Sequence, residues 1–177
     1  MPPIRIAAAL AFLLCATAAF AQSKADYTLY ENIIKFKAPS DWAVIMEKKD
    51  GNPQFIAFQV RDPADKDSSE LAQVTINARL LHDSSFFQQQ VDAATDKAKQ
   101  SPGFEQVTEG VDPTVFRYYA MNGKSRYEYR ETFYLTNHLL LHIRCARPML
   151  ADTTAAWTEA WNKGCAELMQ SLKPKSN

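Results

Sequence analysis

LLLHIRC at residues 139–145, continued by ARPMLADTTAAWTEAWNKGCAELMQSL at residues 146–172, is the stretch on which the fold turns. Alternation with period two places Leu139, Leu141, Ile143 and Cys145 on one face of a strand, with Leu140, His142, Arg144 and Ala146 on the other. The first face is the expected core face. Pro148 closes the strand, Asp152 is the expected N-cap, and Trp157, Trp161, Gly164, Cys165, Leu168 and Leu172 then recur at helical spacing as one apolar stripe. A short strand-to-helix connection packs the helix back on the sheet it has left, which brings Cys145 and Cys165 into bonding range from two inward-facing positions.

Working back from this ending, Asn122-Gly123 is the most specific hairpin signal in the chain and joins runs at 114–121 and 125–135, while Thr136-Asn137 turns the chain into the strand at 139. Earlier, the runs 27–30 and 33–38 flank Glu31-Asn32 as a small hairpin, and Pro39-Ser40-Asp41 breaks it before Trp42 and a strand at 43–47. Asp50-Gly51 marks the next turn, followed by the apolar run 54–60, which reads as a central strand. Residues 72–81 alternate, with Val74, Ile76, Ala78 and Leu80 in phase. Asp83 or Ser84 is expected to cap a helix through about Gln100, with Phe87, Val91, Ala94 and Ala98 as its stripe and a stop at Ser101-Pro102-Gly103. A weak strand is expected over 104–110.

The N-terminus has a different character. Arg5 precedes an apolar run from Ile6 to Ala16, and Ala19-Phe20-Ala21 before Gln22 has the small-residue spacing of a signal peptidase site. Residues 1–21 are read as a signal peptide, cleaved after Ala21, and residues 22–177 as one domain in the periplasm. The run is shorter than the roughly 20 apolar residues of a stable membrane anchor. Cleavage leaves 156 residues, enough for a single core. Arg5 is the only charge removed, so 19 Lys plus Arg stand against 20 Asp plus Glu, with no basic run to track a nucleic acid backbone. Cys15 leaves with the leader. Cys145 and Cys165 remain, and in an oxidising compartment a bridge closing about 20 residues contributes on the order of 3 kcal/mol in the chain-entropy account.

Strands joined by hairpins, interrupted once by a helix and ended by another, define an α+β class: a mostly antiparallel sheet flanked by two helices. The Tyr-rich opening, Ile34-Lys35-Phe36-Lys37-Ala38-Pro39 and Trp42, with a hairpin running into a final helix, resembles the PsbP/Mog1 family of α/β/α sandwiches. That family holds accessory and binding proteins and offers no shared catalytic residues to carry over. The Cys145 and Cys165 pair is not part of its pattern.

Chemistry-bearing motifs are sparse. His82, His138 and His142 do not fall at a metal-ligand spacing, and His82 beside Ser84 and Ser85 is read as a helix start rather than a nucleophile pair. Asp62, Asp65, Asp67 and Glu70 lack the EF-hand spacing and glycine, and are read as a solvated loop. No metal or cofactor is expected. Arg117, Tyr119, Arg126, Tyr127, Tyr129 and Arg130 combine the two residue types enriched at protein interfaces and form the candidate binding surface. The function expected is an exported, non-catalytic protein-binding domain, acting as an envelope accessory factor or as an immunity protein against an exported toxin. An envelope hydrolase, or a protein holding a lipid or small ligand between sheet and helix, is the alternative.

Overall fold

The computed structural model describes residues 23–66 and 70–174. The expected leader and its cleavage site, and Asp67 of the acidic loop, lie outside the described residues.

The chain opens with β1 (Lys24–Leu29) and β2 (Ile34–Pro39), an antiparallel hairpin that forms a sheet of its own. Tyr30, Glu31 and Asn32 in its turn all have positive φ, at 49°, 52° and 73°. The turn is closed by Ile33 N–H donating to Tyr30 O at 2.9 Å. Then follow β3 (Ala43–Lys48), β4 (Gln54–Val60), β5 (Ala72–Leu80), α1 (Phe86–Lys99), β6 (Glu105–Val107), β7 (Phe116–Asn122), β8 (Ser125–Thr136), β9 (Leu139–Pro148) and α2 (Ala155–Leu172). Seven of the strands form an antiparallel sheet in the order β3-β4-β5-β9-β8-β7-β6. The expected class holds: an α+β fold, mostly sheet, with two helices.

The last strand lies at the centre of the large sheet. β9 is flanked by β5 and β8, with Val74 opposite Cys145 and Ile76 opposite Ile143. Its expected core face is buried throughout, and Ile56, Phe58, Val74 and Ile76 continue that face across β4 and β5. The β1–β2 hairpin and α2 cover it. Tyr27 and Trp42 meet Phe58 at ring separations of 5.0 and 6.0 Å, and Trp42 meets Trp161 of α2 at 6.2 Å. Gly164 lets the helix come this close, since a Cβ there would stand 2.7 Å from the Trp42 ring. A disulfide joins Cys145 of β9 to Cys165 of α2, with a Cα–Cα distance of 6.4 Å. Final strand and final helix are thus bound covalently as well as by packing.

On the opposite face a smaller cluster forms from Tyr118, Ala120, Tyr127 and Tyr129, with Ala98 of α1 and Phe104 against it. α1 turns only a weak stripe inward. Phe87, Val91 and Ala94 are half-buried, Phe86 is exposed, and Ala98 alone is fully covered.

Several local expectations shift. Thr154, not Asp152, caps α2, its hydroxyl accepting from Trp157 N–H at 3.2 Å, because Asp152 stands two residues too early for the first free amides. Ser85 occupies the N-cap of α1 without a side-chain bond, while Asp83 accepts from Ser85 N–H at 2.8 Å. Leu80 is exposed and Leu81 buried, because the strand ends at Leu80 and its alternation ends with it. The Asn122-Gly123 hairpin turns one residue later, through Gly123-Lys124, with Asn122 paired to Ser125. The turn before β9 likewise falls on Asn137-His138, both with positive φ. The weak strand over 104–110 contracts to β6. β4, read as central, is second from the edge: Ile56, Phe58 and Val60 are buried, and the intervening residues Phe55, Ala57 and Gln59 are half-buried. Outside it, every residue of β3 is exposed.

Candidate functional site

The outer half of the large sheet, β9-β8-β7-β6, is assembled differently from the half beneath α2. Strand alternation sends Glu128, Arg130 and Thr132 of β8 to the α2 side, and Tyr127, Tyr129 and Glu131 to the α1 side. Each face therefore receives one buried carboxylate, and each carboxylate collects partners from neighbouring strands.

On the α2 side, Glu128 Oε1 accepts from Arg117 Nε at 2.8 Å and from Arg130 Nε and Nη2 at 3.0 and 2.8 Å, while Oε2 accepts from Arg147 Nε at 2.7 Å. Register explains the convergence: Arg147 is directly opposite Glu128 on β9, Arg117 is on β7 diagonal to it, and Arg130 is two residues along the same strand. Burial raises the carboxyl pKa of Glu128, but the charges and hydrogen bonds of Arg130, Arg147 and Arg117 outweigh it and hold the group below its ordinary value. One carboxylate faces three guanidinium groups, so the cluster carries surplus positive charge.

Beside it, Arg126 lies over the Tyr119 ring, 4.7 Å from the centroid, and Arg117 stands 6.0 Å away, within the range of cation–π contact. Arg126 also pairs with Glu105 of β6. Arg117, Tyr119, Arg126 and Arg130 thus form one patch on the α2 side, on strands that α2 does not cross. Tyr127 and Tyr129 are placed on the other face, in the cluster with Tyr118 and Ala98. The six candidate binding residues are divided between two surfaces.

On the α1 side, Glu131 is buried and accepts from Tyr118 Oη at 2.7 Å, pairs with Arg144 at 3.2 Å and lies 2.7 Å from His142 Nε2. Burial raises its pKa as well, and the hydrogen bond and charge of His142, with Arg144 and Tyr118, bring it below the ordinary range. Its own burial first, and then the Glu131 carboxylate, push the Tyr118 phenol upward. His142 stacks on Phe133 at 4.4 Å and Arg144 lies 4.6 Å from the Tyr129 ring, so this network is closed on itself.

A half-open groove of about 890 Å³ runs between the C-terminal half of α2, the loop at 110–115 and the Glu128 cluster. Arg117 and Arg130 line it, and Val111, Val115, Tyr134 and Met169 supply apolar wall. The acidic loop has a structural use at its start: Asp62 is buried, accepting from Ala64 N–H at 2.9 Å and from Thr153 Oγ1 at 2.6 Å, which ties it to the approach to α2. Among the described residues, no group of three or more His, Cys, Asp or Glu side chains is placed to hold a metal ion. No helix among them is long and apolar enough to cross a membrane.

In the sequence alone, the alternation of Glu128 and Glu131 with Arg126 and Arg130 suggests cross-strand ion pairs and does not point to Arg147. The available signal was the register itself, since once β8 and β9 are paired through Thr136↔Leu139, Arg147 falls opposite Glu128.

An α+β protein with an arginine-rich patch beside a groove is therefore the class that fold and site define. No protein-family model matches the chain, and no curated protein does. The PsbP/Mog1 resemblance thus has no family match behind it. Among solved structures, the chain is similar to PA94 of Pseudomonas aeruginosa, a protein of unknown function, at 17% identity and TM-score 0.48, covering 87% of this chain and 99% of that one. It is similar to a Bacteroides thetaiotaomicron protein at 13% identity and TM-score 0.48, covering 88% of this chain and 50% of that one. A third is LpqN of Mycobacterium tuberculosis, involved in cell envelope biogenesis, at 10% identity and TM-score 0.48, covering 89% and 88% of the two chains.

Proposed function

We propose that this chain is an exported, non-catalytic binding protein of the cell envelope. It begins at Gln22 after removal of residues 1–21, forms one domain over 22–177, and engages a protein partner through Arg117, Tyr119, Arg126 and Arg130. The observation that carries this reading is the arginine–tyrosine patch on the outer half of the sheet. Its guanidinium groups are pre-set by Glu128, Glu105 and the Tyr119 ring, so little side-chain freedom is lost on docking. Arginine and tyrosine in this arrangement suit an acidic or carboxylate-bearing partner surface. The Cys145–Cys165 disulfide supports export, because such bonds persist in oxidising compartments. Two of the polar groups weighed for chemistry have structural partners: His142 pairs with Glu131, and Asp62 with Thr153 and Ala64. The PsbP/Mog1 likeness of the opening favours an accessory role.

The test is recovery of partners from the native cell envelope by tagged wild-type protein and by a Tyr119→Ala, Arg126→Ala double variant. One protein near one-to-one with wild type, and reduced at least about tenfold with the variant, is expected for a hot-spot pair. Equal recovery would remove this patch from the proposal. A structural envelope component as partner makes the protein an accessory factor, and a hydrolase silenced on addition makes it an immunity protein. N-terminal sequencing of the exported chain should begin at Gln22.

A further inference from the structure

The groove beside Arg117 and Arg130 has the chemistry of a small-ligand site, and we infer that it binds an amphiphile bearing a single carboxylate. The head group would sit at the two guanidinium groups and the apolar part would run along Val111, Val115 and Met169. Its size lies within the ~300–1,000 Å³ typical of small-molecule sites, and an apolar wall with a few convergent polar groups is their usual composition.

Charge selects the head group. Lys24 on the groove wall is neutralised by Glu167 at 2.8 Å, and Asp112 on the loop has its carboxylate engaged by Thr114 N–H and Oγ1 at 2.8 and 2.7 Å. Of the charged side chains that line the groove, Lys24, Arg117 and Arg130 meet Asp112 and Glu167, and one positive charge is left over. Arg117 spends Nε on Glu128 and Nη2 on Tyr119, and Arg130 spends Nε and Nη2 on Glu128. Among the described residues neither Nη1 has a hydrogen-bond partner. Two unspent donors and one uncompensated charge match a monoanionic carboxylate. A neutral amphiphile would leave the charge unmet, and a bare carboxylate would leave the apolar wall wet.

This inference goes beyond the protein-binding proposal and stands without it, because Tyr119 and Arg126 do not line the groove. The probe is dodecanoate below its micelle concentration, titrated calorimetrically into protein expressed with its full 177-residue sequence, against dodecan-1-ol and acetate. Saturable one-to-one binding of dodecanoate is expected, with both controls weaker by at least about tenfold. Arg130→Gln should weaken it similarly but also disturbs Glu128. Ala166→Trp, on an exposed position of α2 that lines the groove, fills the space while leaving every residue of that network unsubstituted, and should abolish binding. Absence of saturable dodecanoate binding, equal binding of dodecan-1-ol, or binding unaffected by Ala166→Trp would each overturn the site. Partner recovery that survives Ala166→Trp while dodecanoate binding is lost separates this site from the protein-binding patch.

Discussion

The two halves of the large sheet are held together by different physics. Under α2, the β4-β5-β9 half presents Ile56, Phe58, Val74, Ile76 and Ile143, all fully buried hydrocarbon, and is locked by a disulfide. The β8-β7 half buries Glu128 and Glu131, one on each face, and is held by ion pairs and stacked tyrosines. The first half is hydrocarbon packed on hydrocarbon. The second is a polar lattice in which every partner is specified by register. Hydrocarbon gives stability without direction, whereas a paired carboxylate fixes which strands meet and leaves donors pointing outward.

Substitutions should separate the halves. Glu128→Ala leaves three guanidinium groups crowded without their shared anion and is expected to cost about 3–5 kcal/mol, read from the urea midpoint. Opening the disulfide by the Cys145→Ser, Cys165→Ser pair should cost about 3 kcal/mol for a 20-residue separation, while leaving the Glu128 network intact. Gly164→Ala drives a methyl against Trp42 and should cost about 1–3 kcal/mol, with a change in tryptophan fluorescence that locates the strain in the hydrocarbon half. Lys24→Ala removes a half-exposed pair with Glu167 and should change stability by less than about 1 kcal/mol.

Acid should act on one half first. Glu128 and Glu131 titrate lower in the folded chain than the ~4.3 of an unfolded glutamate, so their stabilisation is complete above that value and disappears as pH falls through their folded values. Wild type should lose stability on that descent more steeply than Glu128→Gln. Parallel pH profiles for the two proteins would place the acid-sensitive groups elsewhere.

The hydrocarbon half is also the half that sequence discloses. Period-two runs, the helical stripe from Trp157 to Leu172 and the two inward cysteines point to one packing, and that packing is present. Asn122-Gly123 located its hairpin to within a residue because glycine's freedom at positive φ, 62° at Gly123, is a local property. The polar half was hidden for the same reason in reverse. A glutamate alternating with arginines reads as solvent-facing, and only the β8–β9 register, a long-range property, shows that Glu128 is nearly sealed from water. The helix start shifted because Asp152 and Thr154 are both good caps, and the choice rests on where the chain leaves Pro148. The β1–β2 hairpin was legible as a hairpin, but nothing within it says that it pairs with no other strand.

The position of β9 has a consequence for the order in which the molecule can be made. Residues 72–80 wait for residues 139–146 as their neighbour, so a chain emerging N-terminus first has synthesised four-fifths of itself before the middle of its sheet can close. Until then the inner edge of β5 has no mate, and sequence-distant pairing of this kind folds slowly. A nascent chain in that condition is vulnerable to wrong pairing, and a chaperone or a translocation channel that keeps residues 72–138 extended until the last strand arrives would raise the yield of folded protein.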